Sequence, residues 1–349
     1  MQRTLIARLI GTAIAAGLTV ALTACGGSSH SSGLPTVTMM VGGIDKQIYL
    51  PYQLAEGLGY YQKYGVDMQL STEQQGGVGA EEAMASGQAD MAGAWYEHTI
   101  EFQQSGKDVI SVAQLSGAPG EREMCANNAN VQTPADWKGK SVGVTDPGSG
   151  TDDLTRYLAA RQQLTTQDFS RIGVGEGSTL ISALQRGRIS CAMTTQPTVA
   201  AIEKKNLGYS AIDLASTDGA QKWLGGVYPA AGVLAQASWV NSHKDLVQKV
   251  VDALVATMHY IHTHSAADIA AHMPPKFVSN SLITKDDYIK ALDQDKGQFL
   301  PDGMMPAGAP QTALTIDQQA GKIKQQIDLA KTYTDQYVIE ANKTIGSGG

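Results

Sequence analysis

The sequence lacks an excess of positive charge. Its 26 Lys and Arg residues are outnumbered by 33 Asp and Glu residues, which gives a formal net charge of −7 at pH 7. Loss of Arg3 and Arg8 with the N-terminal segment discussed below would make the mature chain more acidic still. An acidic chain has no electrostatic reason to bind nucleic acid, so we predict no nucleic-acid partner.

Long apolar runs and familiar catalytic motifs are also missing. After Leu22 no segment reaches the roughly 18 apolar residues of a membrane span. A Walker A motif fails because Gly139-Lys140-Ser141 lacks the earlier glycine and leads into a predicted strand. A GxSxG elbow fails because Gly177-Ser178-Thr179-Leu180 lacks the closing glycine. We therefore predict that the protein is not an enzyme and that it has no catalytic residue and no cofactor.

The first 25 residues differ from the rest of the chain. Arg3 and Arg8 precede an apolar run, Leu9 to Leu22, which is too short for an ordinary membrane span and lies where a secretory h-region should be. The run ends in Leu-Thr-Ala-Cys25, which resembles the bacterial lipobox. An ordinary signal peptide with a chance cysteine is the alternative.

We predict an exported lipoprotein in the periplasm or at the cell surface. Cys25 is then the lipidated mature N-terminus, and its acyl chains hold the protein at a membrane. The glycine- and serine-rich segment that follows is typical of a flexible tether. The predicted ranges are 1–24 for the signal peptide and 25–34 for the tether.

Two cysteines remain after Cys25. In an exported, oxidising setting Cys125 and Cys191 can close a disulfide. The Cα atoms of a disulfide usually lie roughly 4.4 to 6.8 Å apart, and a sequence does not reveal whether two cysteines come that close. A possible disulfide and two buried free thiols both stay open.

Short apolar strands alternate with helical patterns along the chain. The patterns predict strands over 36–41, 66–70, 91–94 and 109–115 and helices over 48–64 and 79–86. Strands that are separated by helices favour parallel pairing through right-handed crossovers. The predicted fold class is therefore α/β.

A weak repeat indicates two similar lobes. Ala83, Gly87 and Ala92 recur as Ala183, Gly187 and Ala192, and both copies predict a helix that a left-handed glycine ends before a short strand. Pro119-Gly120 and Gly225-Gly226 mark the two crossings between lobes. We predict lobe 1 over 35–118 and 227–349, and lobe 2 over 119–226.

Two helices are predicted after the second crossing. An apolar stripe from Leu246 to Ile261 predicts a helix packed on lobe 1. Alternating charged and apolar residues predict one surface helix over 315–344.

Several segments resemble one family. Tyr49-Leu50-Pro51 with Gly59-Tyr60-Tyr61, and Trp137 to Val144 (WKGKSVGV), are similar to motifs of the periplasmic substrate-binding proteins of nitrate/taurine/sulfonate-type (NMT1-like) ABC importers. Ala183 to Gly187 with Gln196-Pro197 resembles a third motif of that family. The resemblance implies a two-lobed clamshell with its ligand cleft between the lobes, of periplasmic binding protein type II-like architecture. It also implies a monomeric receptor that delivers its ligand to the transmembrane subunits of an ABC permease.

The predicted ligand site lies at the carboxyl ends of the strands, where α/β proteins bind ligands. Val144 to Asp153 (VTDPGSGTDD) supplies glycines and a helix N-terminus that suit an anionic headgroup. We therefore predict a small polar, anionic organic ligand; nitrate, sulfonates, taurine, aromatic carboxylates and pyrimidine-like compounds all stay open. The candidate ligand residues are Gln47, Tyr49, Trp95, Tyr96, Arg122 (as a cationic partner), Gly148, Ser149, Gly150, Thr151, Thr195, Gln196 and Tyr228.

Two other function classes are alternatives to a receptor. His259, His262 and His264 could form the cluster of an exported metal-capture lipoprotein, but no acidic partner has convincing spacing, so no metal site is predicted. A non-transport enzyme on the same fold is the other alternative. The cysteine-rich motif of the yeast-type thiamin-pyrimidine synthases is missing, because only Cys125 and Cys191 remain.

Overall fold

A computed structural model of the chain describes residues 33–73 and 76–346. The predicted signal peptide, the lipidation site at Cys25 and most of the tether lie outside the described residues. Within those ranges, no helix combines the length and the apolar character that a membrane span requires.

Ten strands of the described residues form two five-stranded sheets. The order is β2-β1-β3-β10-β4 in one sheet and β7-β6-β8-β5-β9 in the other. We call the first sheet and the helices on it lobe 1, and the second lobe 2. The strands are β1 Thr36–Val41, β2 Asp67–Thr72, β3 Met91–Trp95, β4 Val109–Gln114, β5 Glu121–Ala126, β6 Ser141–Val144, β7 Ser170–Gly173, β8 Cys191–Thr195, β9 Gly208–Asp213 and β10 Ala231–Gln236.

Fifteen α-helices and four short 3-10 helices accompany these strands in the described part of the chain. The α-helices are α1 Leu50–Gly57, α2 Tyr60–Lys63, α3 Gly77–Ala85, α4 Glu97–Gln104, α5 Gly150–Arg161, α6 Gly177–Gln185, α7 Thr198–Lys204, α8 Thr217–Leu224, α9 Ala237–Ser242, α10 Lys244–Thr263, α11 Ala266–His272, α12 Pro275–Val278, α13 Lys285–Asp295, α14 Ala309–Gln319 and α15 Gln336–Gly346. The 3-10 helices are Gln47–Tyr49, Pro134–Trp137, Lys296–Gln298 and Leu329–Lys331. The predicted α/β fold class is confirmed.

Each sheet contains one antiparallel strand beside its central strand, which the sequence patterns did not predict. β10 runs antiparallel to β3 and β4, and β5 runs antiparallel to β8 and β9. Both strands follow a crossing between the sheets, so they enter their sheet from the other lobe rather than through a right-handed crossover helix. The predicted parallel pairing therefore holds for the strands that follow crossover helices and does not extend to β5 and β10.

The internal repeat corresponds to a structural repeat. The helix–glycine–strand unit recurs as α3 to β3 and α6 to β8, and Gly87 and Gly187 have φ of 78° and 66°. The left-handed backbone ends each helix where a residue with a Cβ would be disfavoured. The two sheets also share their strand order, with β1 and β6, and β3 and β8, in equivalent places.

The apolar stripe before residue 261 forms α10, which packs against α1, α2 and α15. Its buried face carries Val247, Val250, Val251, Leu254, Val255, Met258 and Ile261, as the spacing predicted.

The prediction of one continuous surface helix over 315–344 was wrong. The chain ends α14 at Gln319, turns at Gly321 with φ of 77°, and begins α15 at Gln336. Side chains of α4 hold the intervening segment, because Gln103 and Gln104 each hydrogen-bond to its backbone. A local alternation of charged and apolar residues carries no information about such long-range contacts.

A disulfide links two neighbouring strands of lobe 2. Cys125 in β5 and Cys191 in β8 lie directly opposite each other, with Cα atoms 3.9 Å apart, and both are buried. Of the two options that the sequence left open, the structure contains the disulfide.

Candidate functional site

A cavity of about 20 Å³ lies between the two lobes. This volume holds about one water molecule, so a larger solute requires the lobes to separate before it enters. Both lobes contribute walls: lobe 1 supplies Lys46, Ile48, Tyr49, Gly76, Gly77, Trp95 and His98, and lobe 2 supplies Glu121, Thr145, Ser149, Gly150 and Thr151.

The structure brings five of the sequence-predicted residues together in this cavity. They are Tyr49, Trp95, Ser149, Gly150 and Thr151. Trp95 ends β3 and packs edge-on against Tyr228, with ring centroids 5.8 Å apart. Tyr228 thus lies behind the wall, and it shapes the cavity through Trp95.

The other predicted residues make contacts outside the cavity wall. Gln47 donates to the Tyr288 carbonyl, and the Tyr96 hydroxyl pairs with Thr332. The Thr195 hydroxyl donates to the Gly120 carbonyl. Gln196 accepts from the Ala200 N–H through its side chain, and Gly148 accepts from Lys322 through its carbonyl.

Arg122, the predicted cationic partner of the ligand, is held by carboxylates instead. Its two terminal nitrogens each lie 2.7 Å from an oxygen of Asp295, and its Nε lies 3.0 Å from Asp213. Such a bidentate pair satisfies the guanidinium group. The geometry gives Arg122 a role in joining β5 to α13.

The glycine-rich loop before α5 satisfies its own polar groups. The Thr145 N–H donates to the Thr151 hydroxyl at 2.9 Å, and the Gly148 N–H donates to Asp152 at 3.0 Å. Asp152 also pairs with Arg171. The positive end of α5 is therefore already faced by carboxylates of the protein itself.

Lobe 1 supplies a further carboxylate to this helix end. A Cβ placed on Gly150 would lie 2.6 Å from Oε1 of Glu97 and would also overlap the Trp95 ring. The absence of a side chain at Gly150 therefore allows α5 of lobe 2 to approach β3 and α4 of lobe 1 closely.

A buried acidic cluster surrounds His98 at the start of α4. Nδ1 of His98 lies 2.9 Å from Glu81, and its Nε2 lies 3.7 Å from Glu97. Burial lowers the pKa of His98, but Glu81 and Glu97 outweigh burial and raise that pKa well above its usual value. Burial raises the pKa of Glu97 to about 7, although the positive His98 opposes the shift.

Lys322 connects the two lobes beside this cluster. Its Nζ donates to Asp153 of α5 at 2.6 Å, to the Gly148 carbonyl at 3.1 Å, and to Glu101 of α4. Burial lowers the pKa of Lys322, but Asp153 and Glu101 outweigh it and raise that pKa. The C-terminal segment thus ties α4 to α5.

Lys46 and Glu176 form a second tie across the cleft, 3.2 Å apart. Glu176 also accepts hydrogen bonds from Thr145 at 2.7 Å and from Thr194 at 2.9 Å. Lys46 lines the small cavity and also an open pocket of about 530 Å³ between residues 43–46, 174–179 and 280–282. Lys46 therefore borders both the cavity and the wider pocket, and Glu176 borders the wider pocket.

The three histidines of the metal-capture alternative have other partners. Nε2 of His259 lies 3.2 Å from Asn342, and Nε2 of His262 lies 2.9 Å from the Phe299 carbonyl. His264 stacks on Tyr260. Across residues 33–73 and 76–346, the one group with metal-like spacing is Glu123, Cys125 and Cys191, and its two sulfurs form the disulfide.

Sequence reasoning missed Lys46, His98 and Glu121 as cavity residues. Glu121 opens β5, a strand that was not predicted because half of its residues are polar or charged. Charged residues are rarely buried unless they are paired, so no local pattern indicates that Glu121 faces a cavity. Lys46 and His98 lie in the segments that follow β1 and β3, at strand ends where the sequence predicts the site, but the sequence did not mark these two side chains as ligand residues.

Known proteins share this architecture. A protein from Bordetella bronchiseptica RB50 has a structure similar to this chain, with a TM-score of 0.81 and 28% identity over 89% of this chain and 98% of the other. The alkanesulfonate-binding protein SsuA from Xanthomonas axonopodis pv. citri, bound to MOPS, has a TM-score of 0.69 and 14% identity, over 86% of this chain and 98% of SsuA. The nitrate-binding protein NrtA from Synechocystis PCC 6803 has a TM-score of 0.70 and 16% identity, over 89% of each chain.

The sequence itself also matches a family. The match is to the NMT1/THI5-like family and extends over residues 48–267, which is more than half of the chain. The interlobe cavity lies largely between elements of that range. The chain therefore belongs to the NMT1/THI5-like family.

Proposed function

We propose that this protein is the solute receptor of an ABC importer, which captures a small polar organic molecule between its lobes and delivers it to the permease. The observation that carries the proposal is the cavity, because residues of both lobes form its walls. A ligand that contacts both lobes favours the closed arrangement over an open one. SsuA and NrtA, which share the fold, are named as alkanesulfonate- and nitrate-binding proteins.

The proposed division into lobes is 35–118 with 227–349, and 119–226, and closure occurs about the two crossings between them. Tyr49, Trp95, Ser149, Gly150 and Thr151 are the proposed ligand residues, since they line the cavity. The protein works as a monomer and binds its ligand without turnover. Unchanged ligand after prolonged incubation with the purified protein, measured by chromatography, supports binding without chemistry.

Trp95 should report ligand binding through its fluorescence. The indole is 5% exposed and lines the cavity, so a bound solute changes its surroundings directly. We expect ligand to change the emission of the wild type, and Trp95→Phe to remove most of that change. The matched control is Trp239→Phe, because Trp239 stacks on His243 in a separate part of lobe 1. An unchanged ligand response in Trp95→Phe contradicts the proposed site.

We further propose that lipid on Cys25 anchors the mature protein to a membrane. The supporting observation is the sequence Leu-Thr-Ala-Cys after a short apolar run. Cys25→Ser should move the protein from the detergent phase to the aqueous phase in a phase-partition assay, because two or more acyl chains anchor far more firmly than none. Ser28→Ala in the tether is the control and should stay in the detergent phase. Retention of Cys25→Ser in the detergent phase counts against the anchor.

A further inference from the structure

The charged groups that line the cavity are not equally satisfied. Each cationic group already has a carboxylate partner: Lys46 lies 3.2 Å from Glu176, and His98 lies 2.9 Å from Glu81. Glu121 differs, because its Oε2 has no hydrogen-bond partner among the described residues. Its residue is 2% exposed and lines the cavity.

An unpaired buried carboxylate is costly for a protein to keep. Burial without a partner disfavours the charged form, and a neutral side chain of the same shape would be more stable there. Burial raises the pKa of Glu121 well above its usual value, and Glu176 adds to the rise, whereas Lys46 and Arg122 oppose it. The titratable groups around Glu121 are Lys46, Tyr49, Arg122, Glu123 and Glu176.

A second carboxylate lies close to the same cavity. Glu97 is fully buried, and neither of its oxygens has a hydrogen-bond partner in the part of the chain that the structure describes, although Nε2 of His98 lies 3.7 Å from Oε1. Its Oε1 approaches Gly150, a wall residue, close to the Trp95 ring. The rings of Tyr49 and Trp95 complete this side of the cavity. Carboxylates and aromatic faces together are the groups that attract a positive charge.

We propose that the solute is an organic cation, whose protonated amine or amidine nitrogen donates to Glu121 and packs against Tyr49 and Trp95. This inference rests on the proposed receptor function and reverses the anionic charge expected from the glycine-rich loop. That loop's helix end already faces Asp152 and Glu97, so an added anion would meet carboxylates on both sides of the cleft.

Thermal-shift assays and calorimetry on the full mature protein test the charge of the solute. The probes are two size-matched series, benzamidine, benzamide and benzenesulfonate, and butylamine, butyramide and butanesulfonate, with nitrate and Zn²⁺ as further arms. We expect a cationic member to raise Tm and its neutral and anionic counterparts to have little effect. Binding should weaken at least tenfold in Glu121→Gln.

Glu123→Gln is the matched control variant. Glu123 lies two residues along the same strand and is also buried with unpaired oxygens in the described chain, but it does not line the cavity. Both substitutions remove a carboxyl whose pKa is raised on folding, so the gain in Tm over the wild type should grow as the pH rises above 4.5, the ordinary glutamate value. Only Glu121→Gln should lose affinity for the cationic probe. A folded Glu121→Gln variant thus separates a binding role from a structural one.

Proton linkage gives an independent readout. A cation favours the charged carboxylate, so its binding should release protons, and its affinity should rise with pH above the ordinary glutamate pKa in wild type but not in Glu121→Gln. Calorimetry in two buffers of different ionisation enthalpy measures this release.

The possible outcomes separate the inference from the function on which it rests. Tight binding of a sulfonate or nitrate, with proton uptake, is compatible with the receptor function and contradicts the proposal that the solute is a cation. Binding of Zn²⁺ alone through Glu121, or equal cation affinity in wild type and Glu121→Gln, also overturns it. Failure of every probe to raise Tm counts against both proposals.

Discussion

Replacing Gly150 by alanine should weaken solute binding by about one to two orders of magnitude. The new Cβ would lie 2.6 Å from Oε1 of Glu97 and would overlap Trp95, both of which belong to the opposite lobe. Overpacking of this kind costs about 1–3 kcal/mol, and each ~1.4 kcal/mol is tenfold in affinity. The cost falls on the closed form alone, because these contacts exist only across the cleft.

Calorimetry with the probe that raises Tm most measures this loss. Gly297→Ala is the matched control, since no heavy atom lies within 4 Å of a Cβ at Gly297 and its φ is not in the left-handed region. The Tm of ligand-free Gly150→Ala should stay close to the wild-type value, because neither lobe is disturbed internally. An affinity within twofold of wild type would show that ligand binding does not require this approach of the lobes.

Replacing Arg122 by methionine should lower the free energy of unfolding by about 3–5 kcal/mol, the range measured when one partner of a buried ion pair is removed. Arg122 is bonded through both terminal nitrogens to Asp295, whose side chain is 1% exposed. Without the guanidinium group, Asp295 is a buried charge with its main partner gone.

Urea unfolding of three variants tests whether the lost stability comes from breaking the Arg122–Asp295 pair or simply from removing a positive charge. Arg122→Met with Asp295→Leu should recover most of the lost stability, since both charges are then removed together. Arg186→Met is the control; Arg186 is exposed in lobe 2, and the change should stay within about 0.5 kcal/mol. A loss below about 1 kcal/mol in Arg122→Met contradicts the structural role assigned to the pair.

Local patterns predicted much of the fold. Apolar runs such as Thr36–Val41, the stripe of α10 and the glycines after α3 and α6 encode their structure within a few residues. The strands β5 and β10 were not predicted. β5 buries Glu121 and Glu123 beside Cys125, and charged residues in a short segment favour the surface unless long-range contacts are known.

The candidate site was predictable only in part for the same reason. Tyr49, Trp95 and the start of α5 follow from the rule that ligands lie at the carboxyl ends of strands. The charge of the cavity depends on residues that meet across the fold, such as Lys322 and Asp153, which are 169 residues apart. A glycine-rich helix start alone favours an anion, whereas the carboxylates that surround it reverse that preference.

Closure of the two lobes on a solute is the central claim, and small-angle X-ray scattering tests it most directly. The radius of gyration should be measured for wild type and Gly150→Ala, with and without a saturating amount of the probe that raises Tm most. We predict that the probe compacts the wild type and compacts Gly150→Ala less. An unchanged radius of gyration in wild type, with binding confirmed by calorimetry in the same sample, would contradict capture by closure.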